Sequence, residues 1–233
     1  MELFAKHLLK YKGEQYILNE CAKLALNGIT VCHRASKSIT FRQTNKVMYI
    51  TKGYHTVEDR ENPDYIEDNM PFKCVRSDAW LSHGYYFWEQ DLARAHNWGR
   101  QSYGTDMYVI CQCGLSLENM LDLVGDREHQ EKMRRLIRDL TKSHPALKGK
   151  EPPLNVAIAL LRVLQRKQRI STFDYDSVRA QDFPDPATYR FVEKERRFET
   201  TDLNPRIQIC LFDKTNRILP PVRIVHPEHY VQD

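Results

Sequence analysis

Apolar positions along the chain follow two periods, one typical of helices and one typical of strands. Helical spacing predicts helices over residues 14–27, 89–98, 126–142 and 154–168. Alternation or β-branched composition predicts strands over residues 29–31, 46–57, 85–88, 106–113, 173–180 and 206–212. Helices and strands mix without the strict alternation of a doubly wound sheet, so the pattern predicts an α+β fold.

Turn-forming residues refine this picture in three places. Gly53 predicts a turn between two strands, and Gly114 predicts the end of the strand before it, with a short helix capped by Ser116. Residues 58–69 are acidic and contain Pro63, which predicts an exposed, mobile loop.

Aromatic residues concentrate in one stretch, Leu81–Gly99, with Trp80 directly before it. A strand, a turn and the start of a helix are predicted within these residues. Such density is typical either of a core or of a surface on which a planar ligand stacks. The aromatic residues of the stretch are Tyr85, Tyr86, Phe87, Trp88 and Trp98.

The 233 residues are 41% hydrophobic and 28% charged, which favours one globular domain over residues 1–233. No apolar run approaches the roughly 18 residues of a membrane span, and no secretory signal is recognisable, so we expect a cytoplasmic protein without a membrane partner. Six cysteines occur without C-x-x-C spacing or a matching histidine cluster. They predict reduced thiols and no metal site.

Positive charge is concentrated in the two helices after residue 126. Residues 127–170 carry twelve Lys and Arg against four Asp and Glu, although the whole chain has a net charge of only +4. A run of this kind is either an ordinary solvated helix face or an electrostatic surface for a polyanion such as nucleic acid. We therefore treat residues 126–170 as a basic helical insertion.

Glycine-rich phosphate-binding motifs are absent from the sequence, but three other motifs occur in a suggestive order. They are CHRAS with His33, HGYYFWEQDLARAHNWG with Tyr86, and NPRIQICLF with Gln208. Their order resembles the ADP-ribosyltransferase superfamily, in its poly(ADP-ribose) polymerase-like and diphtheria-toxin-like branch. That family places a histidine on an early strand, a tyrosine on the next motif and a polar residue on a late strand.

The resemblance is closer to a group of small bacterial proteins of the same fold. These carry a W-L-x-x-G-x-Y-F-W-E block, a G-x-x-L-D-L turn, a D-x-V-R strand and an I-Q-I strand. This sequence has AWLSHGYYFWE, GLSLENMLDL, YDSVRA and RIQIC in the same order, across residues 29–219. The resemblance implies a split mixed or antiparallel sheet with flanking helices and an inserted helical pair.

The resemblance also implies a binding site for NAD⁺, which acts as a co-substrate. His33 would bond a ribose hydroxyl, Arg34 the pyrophosphate or adenine, and the backbone of Gly84 the carboxamide. Tyr86 and Trp98 would hold the nicotinamide ring between them. Tyr85, Phe87 and Trp88 are expected in the core.

Gln208 stands where the polymerases have a glutamate. An amide retains a hydrogen-bond acceptor but lacks the charge that stabilises an oxocarbenium ion or removes a proton. Poly-chain synthesis is therefore not expected. Deprotonation of the acceptor would fall to Asp176, Glu89 or an acidic residue within 193–199, or the acceptor would need little activation. Arg179 would either form an ion pair with Asp176 or contact phosphate or the acceptor.

These observations predict a mono-ADP-ribosyltransferase that acts as a bacterial toxin or phage-defence effector, with an antitoxin as a further partner. Nucleic acid, RNA in particular, is the favoured acceptor, and protein is the rival. The alternative is an inactive module of the same fold that binds NAD⁺, ADP-ribose or RNA. A third hypothesis is a plain interaction protein that binds no nicotinamide nucleotide.

Overall fold

The computed structural model of the protein describes residues 48–168, 170–182, 189–190 and 200–231. The predicted helix over residues 14–27, the predicted strand over residues 29–31, and His33 and Arg34 after it lie outside the described residues. The elements are β1 (Tyr49–Glu58), α1 (Pro63–Asn69), β2 (Tyr85–Glu89), α2 (Leu92–Tyr103), β3 (Tyr108–Leu117), β4 (Met120–Asp122), α3 (Arg127–Ser143), α4 (Leu154–Arg166), β5 (Ser177–Gln181), β6 (Tyr189–Arg190), β7 (Thr200–Thr201), β8 (Ile207–Leu211) and β9 (Ile218–His226).

Seven of these strands form one sheet in the order β4-β5-β8-β2-β1-β3-β9, while β6 and β7 pair separately. All neighbours in the large sheet are antiparallel except β4 and β5, which are parallel. A mixed, mostly antiparallel sheet with four described helices confirms the α+β prediction. None of the described helices has the length and apolar character needed to cross a membrane.

Alternate residues of the strands supply two cores on opposite faces of the sheet. On one face Phe87, Ile209 and Leu211 pack with Ile66 of α1. On the other face Val178 and Cys210 belong to a cluster that contains the apolar side of α3 and α4. The helical pair therefore covers the β5–β8–β2 half of the sheet.

Helix α3 forms where its sequence pattern predicts it. The Asp126 carboxylate accepts a hydrogen bond from the His129 N–H at 3.0 Å and so caps the first turn. Met133 and Leu140 are buried at helical spacing, and Leu136 and Ile137 pack beside them. The basic residues are left on the outer side of the helix, as predicted.

Three local predictions are wrong because partners distant in sequence override the local signal. Gly53 lies inside β1, where it pairs with both Glu89 and Cys113. A Cβ at Gly53 would stand 2.7 Å from Leu115 Cδ1, so the glycine admits close packing and does not form a turn. Gly114 likewise lies inside β3, which continues to Leu117 because β1 and β9 pair on either side of it.

The third error concerns residues 58–69, predicted as a loop. Helix α1 begins at Pro63, a residue that suits the first helical position because its missing N–H would have had no partner there. Ile66 is only 3% exposed and anchors the helix on the core. One buried isoleucine among acidic neighbours is too weak a pattern to identify from sequence. The short helix expected from Ser116 is replaced by the end of β3 and by β4.

Candidate functional site

Strands β1 and β2 pair over only two residues and then separate. Gly53 pairs with Glu89 and Tyr54 with Trp88, and the register ends there. Beyond this point β1 follows β3, while β2 follows β8. A cavity of about 480 Å³ lies where the two strands part, and its lining includes His55 and Thr56 of β1, Tyr86 of β2, Trp98 of α2 and Gln208 of β8.

His55 connects the two separated strands. Its Nδ1 lies 2.8 Å from the Tyr86 carbonyl oxygen, and its Nε2 lies 3.0 Å from the Phe72 amide nitrogen. Because a carbonyl only accepts and an amide N–H only donates, Nδ1 carries the proton and Nε2 accepts. His55 is 5% exposed, and burial lowers its pKa to about 4. The imidazole is therefore neutral near pH 7.

The lowered pKa of His55 predicts a pH dependence of stability. The unfolded chain binds a proton at His55 below about pH 6.5, whereas the folded chain does not until about pH 4. The neutral His55 ring makes its full contribution to the free energy of unfolding above pH 6.5. This contribution declines as the pH falls toward 4, and at pH 5 it is lower by about 2 kcal/mol. We expect the stability difference between wild type and His55→Gln to shrink by this amount between pH 7 and pH 5 in urea unfolding.

An exposed, uncharged side chain provides the control for that experiment. Leu203 is 67% exposed, and the stability difference between wild type and Leu203→Ala should not change with pH. A constant difference between wild type and His55→Gln over this pH range would contradict the assigned proton position and burial.

Tyr86 presents its ring to the cavity while its hydroxyl is held elsewhere. The hydroxyl donates to the Ser82 carbonyl at 2.7 Å and accepts from the Leu81 N–H at 2.9 Å. Burial raises the pKa of Tyr86 far above its usual range, so the group stays a neutral phenol. It acts as an aromatic wall and not as an acid or a base.

Trp98 forms a more accessible part of the lining. It is 39% exposed, and the Arg76 guanidinium lies 5.8 Å from the centroid of its ring. Helix α2 places it above the cavity because the Asp91 carboxylate caps the first turn through the Arg94 N–H at 2.9 Å. The indole can therefore receive a planar group that enters from solvent.

Gln208 lies on β8 opposite Trp88 and is 8% exposed. The indole Nε1 of Trp80 donates to its Oε1 at 3.0 Å. Trp80 also lines the cavity. The structure thus brings two of the predicted catalytic residues, Tyr86 and Gln208, to one cavity.

Gly84 is placed at the end of β2, but its backbone is already paired. Its carbonyl accepts from the Cys74 N–H at 2.8 Å, and its own N–H donates to the Cys74 carbonyl at 3.2 Å. Gly84 is not among the residues that line the cavity. A carboxamide could bond to Gly84 only by displacing Cys74, and the role given to Gly84 stays a prediction.

The open edge of β1 offers a different backbone pair. The Lys52 carbonyl accepts from the Gln90 N–H at 3.0 Å, so the backbone groups of Lys52 point toward β2. In an antiparallel strand every second residue points its backbone N–H and C=O to the same side. By this alternation the N–H and C=O of Thr56 point toward the β2 side. Pairing with β2 ends at Tyr54, so among the described strands none occupies the position beside Thr56.

Glu89, Arg179 and Asp176 lie away from this cavity. The Glu89 carboxylate accepts from the Tyr49 hydroxyl at 2.7 Å and from Arg179 Nε at 2.8 Å. Arg179 also bonds to Asp122 at 3.1 Å. Asp176 instead pairs with Arg217. Arg179 therefore belongs to an ion-pair network, but with partners other than the predicted Asp176.

Three residues of the site were missed at the level of sequence: His55, Thr56 and Trp80. A signal for His55 was present, because it lies in KVMYITKGYHTV, a β-prone stretch that ends in a histidine and a threonine. Interpreting Gly53 as a turn divides the continuous strand β1 and conceals His55 within it. The contact of Trp80 with Gln208 spans 128 residues and has no local signal.

The outer surface of α3 carries exposed cations. Arg127 pairs with Glu131, but within the described residues Arg134, Arg135 and Arg138 have no carboxylate within ion-pair distance. Helices α3 and α4 cover the same face of the sheet as the Tyr86 side chain, which packs against their apolar cluster. The cationic surface thus lies on the cavity side of the sheet.

Comparison of the chain with protein-family models, with curated proteins and with solved structures finds no match.

Proposed function

We propose that the protein is a mono-ADP-ribosyltransferase that moves ADP-ribose from NAD⁺ to a macromolecular acceptor. One observation carries the proposal: His55, Tyr86 and Gln208 reach a single cavity from three neighbouring strands, where β1 and β2 separate. The family that the sequence resembles requires a histidine, a tyrosine and a polar residue in this order. His55 takes the place proposed for His33.

The cavity suits the nicotinamide half of NAD⁺. Tyr86 and Trp98 supply aromatic surface for the ring. A primary carboxamide offers one acceptor and two donors, which complements the N–H and C=O of Thr56, beside which no described strand pairs. Cleavage of the nicotinamide–ribose bond develops positive charge on the ribose, and held dipoles around that carbon would favour the transition state.

A ribose hydroxyl that bonds to His55 must displace a protein group. Nε2 already accepts from the Phe72 N–H, so the hydroxyl would replace that amide and shift the segment that carries it. Binding of NAD⁺ is therefore expected to accelerate hydrogen exchange at the Phe72 amide.

The carboxylates that line the cavity in the described part of the chain are Asp78 and Asp182. Asp78 forms a two-point ion pair with Arg76 and is exposed. Asp182 lines the cavity whereas Glu89 and Asp176 do not, so its position makes Asp182 a better candidate for deprotonating an acceptor than either of them. The absence of a carboxylate at Gln208 favours transfer of a single ADP-ribose.

RNA is the acceptor that the charge distribution favours. Exposed arginines of α3 would bind phosphates without reading sequence, so association should weaken as salt rises. Protein remains the rival acceptor. Such an enzyme would act in the cytoplasm as a toxin or phage-defence effector, with an antitoxin to restrain it.

Labelled NAD⁺ mixed with RNA, DNA and cell lysate tests the proposal. We expect nicotinamide release and a labelled macromolecule, identified by mass spectrometry as carrying ADP-ribose. Trp98→Ala should weaken NAD⁺ affinity about 2- to 12-fold, since aromatic stacking contributes roughly 0.5–1.5 kcal/mol, while Trp98→Phe should retain most of it.

The absence of both transfer and NAD⁺ consumption would overturn the enzyme proposal. The second candidate is a binding module, and the full occupation of His55 by Tyr86 and Phe72 favours it. A thermal shift with NAD⁺ that is smaller in Trp98→Ala, without nicotinamide release, would establish that candidate instead.

A further inference from the structure

We propose that Trp80 is a positioning residue that turns the Gln208 amide so that it offers N–H donors to the ligand. The inference rests on the proposed function for the identity of the ligand, but not for the orientation itself. In this orientation Gln208 donates a hydrogen bond to an oxygen of the substrate, and it cannot act as a proton acceptor.

The orientation follows from the chemistry of the contact. An indole N–H is a donor only, so the Gln208 atom at 3.0 Å from Trp80 Nε1 must be the carbonyl oxygen. Oxygen and nitrogen of an amide are otherwise easily exchanged, but here the donor decides between them. The planar amide then directs its –NH₂ group away from Trp80.

The amide nitrogen has no acceptor among the described residues. Gln208 is held on both sides, since its strand pairs with Ala180 of β5 and with Trp88 of β2. At 8% exposure its side chain has little access to solvent other than through the cavity that it lines. A ligand acceptor that enters the cavity would therefore give this nitrogen a partner that the described residues do not supply.

In NAD⁺ the matching group is a hydroxyl oxygen of the nicotinamide ribose, accepting from Gln208. The hydroxyl proton must then bond to another group, and Gln208 cannot remove it. A glutamate at this position could also accept from Trp80, but its second oxygen would face the ligand as an acceptor. Because Trp80 binds one oxygen in either case, glutamine presents a hydrogen-bond donor to the ligand, whereas glutamate would present an acceptor.

The orientation can be measured without any ligand. The chain has three tryptophans, so the indole N–H signals in a ¹H–¹⁵N spectrum are few, and Trp80→Phe identifies the relevant one. We expect Gln208→Leu to move that signal and to increase its exchange with water, and Gln208→Glu to keep it protected. An unchanged Trp80 signal in Gln208→Leu would overturn the inference.

A double-mutant cycle tests the consequence for binding. We expect Trp80→Phe to weaken NAD⁺ binding about fivefold in the wild-type background and to have no further effect in Gln208→Leu, with kcat and KM measured separately. Equal effects in both backgrounds would show that Trp80 acts through packing alone and would overturn the inference. A wild-type protein that binds no NAD⁺ would refute the proposed function, while the indole signals would still decide the orientation.

Discussion

Glu89→Ala is expected to lower the free energy of unfolding by about 3 kcal/mol. The Glu89 side chain is 4% exposed and the Arg179 side chain 13%, and their 2.8 Å contact is an ion pair largely removed from water. Loss of the carboxylate leaves the guanidinium with Asp122 alone and the Tyr49 hydroxyl without its acceptor. Breaking a buried pair from one side costs more than the pair contributes, because the remaining charge stays desolvated.

Glu131→Ala is the matched control. Glu131 also pairs with an arginine, at 3.1 Å, but both side chains are largely exposed, 49% and 73%. Exposed pairs contribute about 0–1 kcal/mol, so unfolding in urea should separate the two variants clearly. If Glu89→Ala retained wild-type stability and lost transferase activity, Glu89 would regain the role of proton acceptor that its buried contacts argue against.

Gly84→Ala is expected to destabilise the protein by about 3 kcal/mol, the upper end for an overpacked core. A Cβ there would stand 2.4 Å from Cys210 Sγ and 2.5 Å from the Leu211 carbonyl oxygen. Cys210 could move, but the carbonyl belongs to β8 and cannot withdraw without disturbing the strand. Displacement of β2 would also strain the Gly84–Cys74 bridge beside the cavity. Under the proposed function, NAD⁺ affinity should therefore fall as well.

Two further variants identify the cause. Gly84→Ala with Cys210→Ala removes the sulfur contact but not the carbonyl contact, and we expect only partial recovery in urea unfolding. Gly125→Ala is the control, because its nearest contact is the Asp122 side chain at 3.1 Å and the loss should stay below about 1 kcal/mol. Full recovery in the double variant would contradict the part assigned to Leu211.

Local pattern was sufficient for helices α3 and α4 and for the late strand β8. Met133 and Leu140 of α3 and Ile209 and Leu211 of β8 are buried as their periodicity predicts. In α3 one face meets a core and the other meets solvent, so the period of the apolar residues records the structure. Strand β8 is buried on both faces, and its alternate residues belong to two different cores. The same principle explains the failure at Ile66, where one buried side chain forms no period.

For the candidate site, the sequence alone singled out Tyr86, Trp98 and Gln208, because their residue types and order carry the family resemblance. Only the tertiary structure decided that His55 lines the same cavity and that Trp80 bonds to Gln208. It also decided that no described strand pairs with β1 beside Thr56 on the β2 side and that Glu89 is committed to Arg179. These assignments depend on where β1 and β2 separate and on contacts between residues far apart in the chain, which no local periodicity encodes.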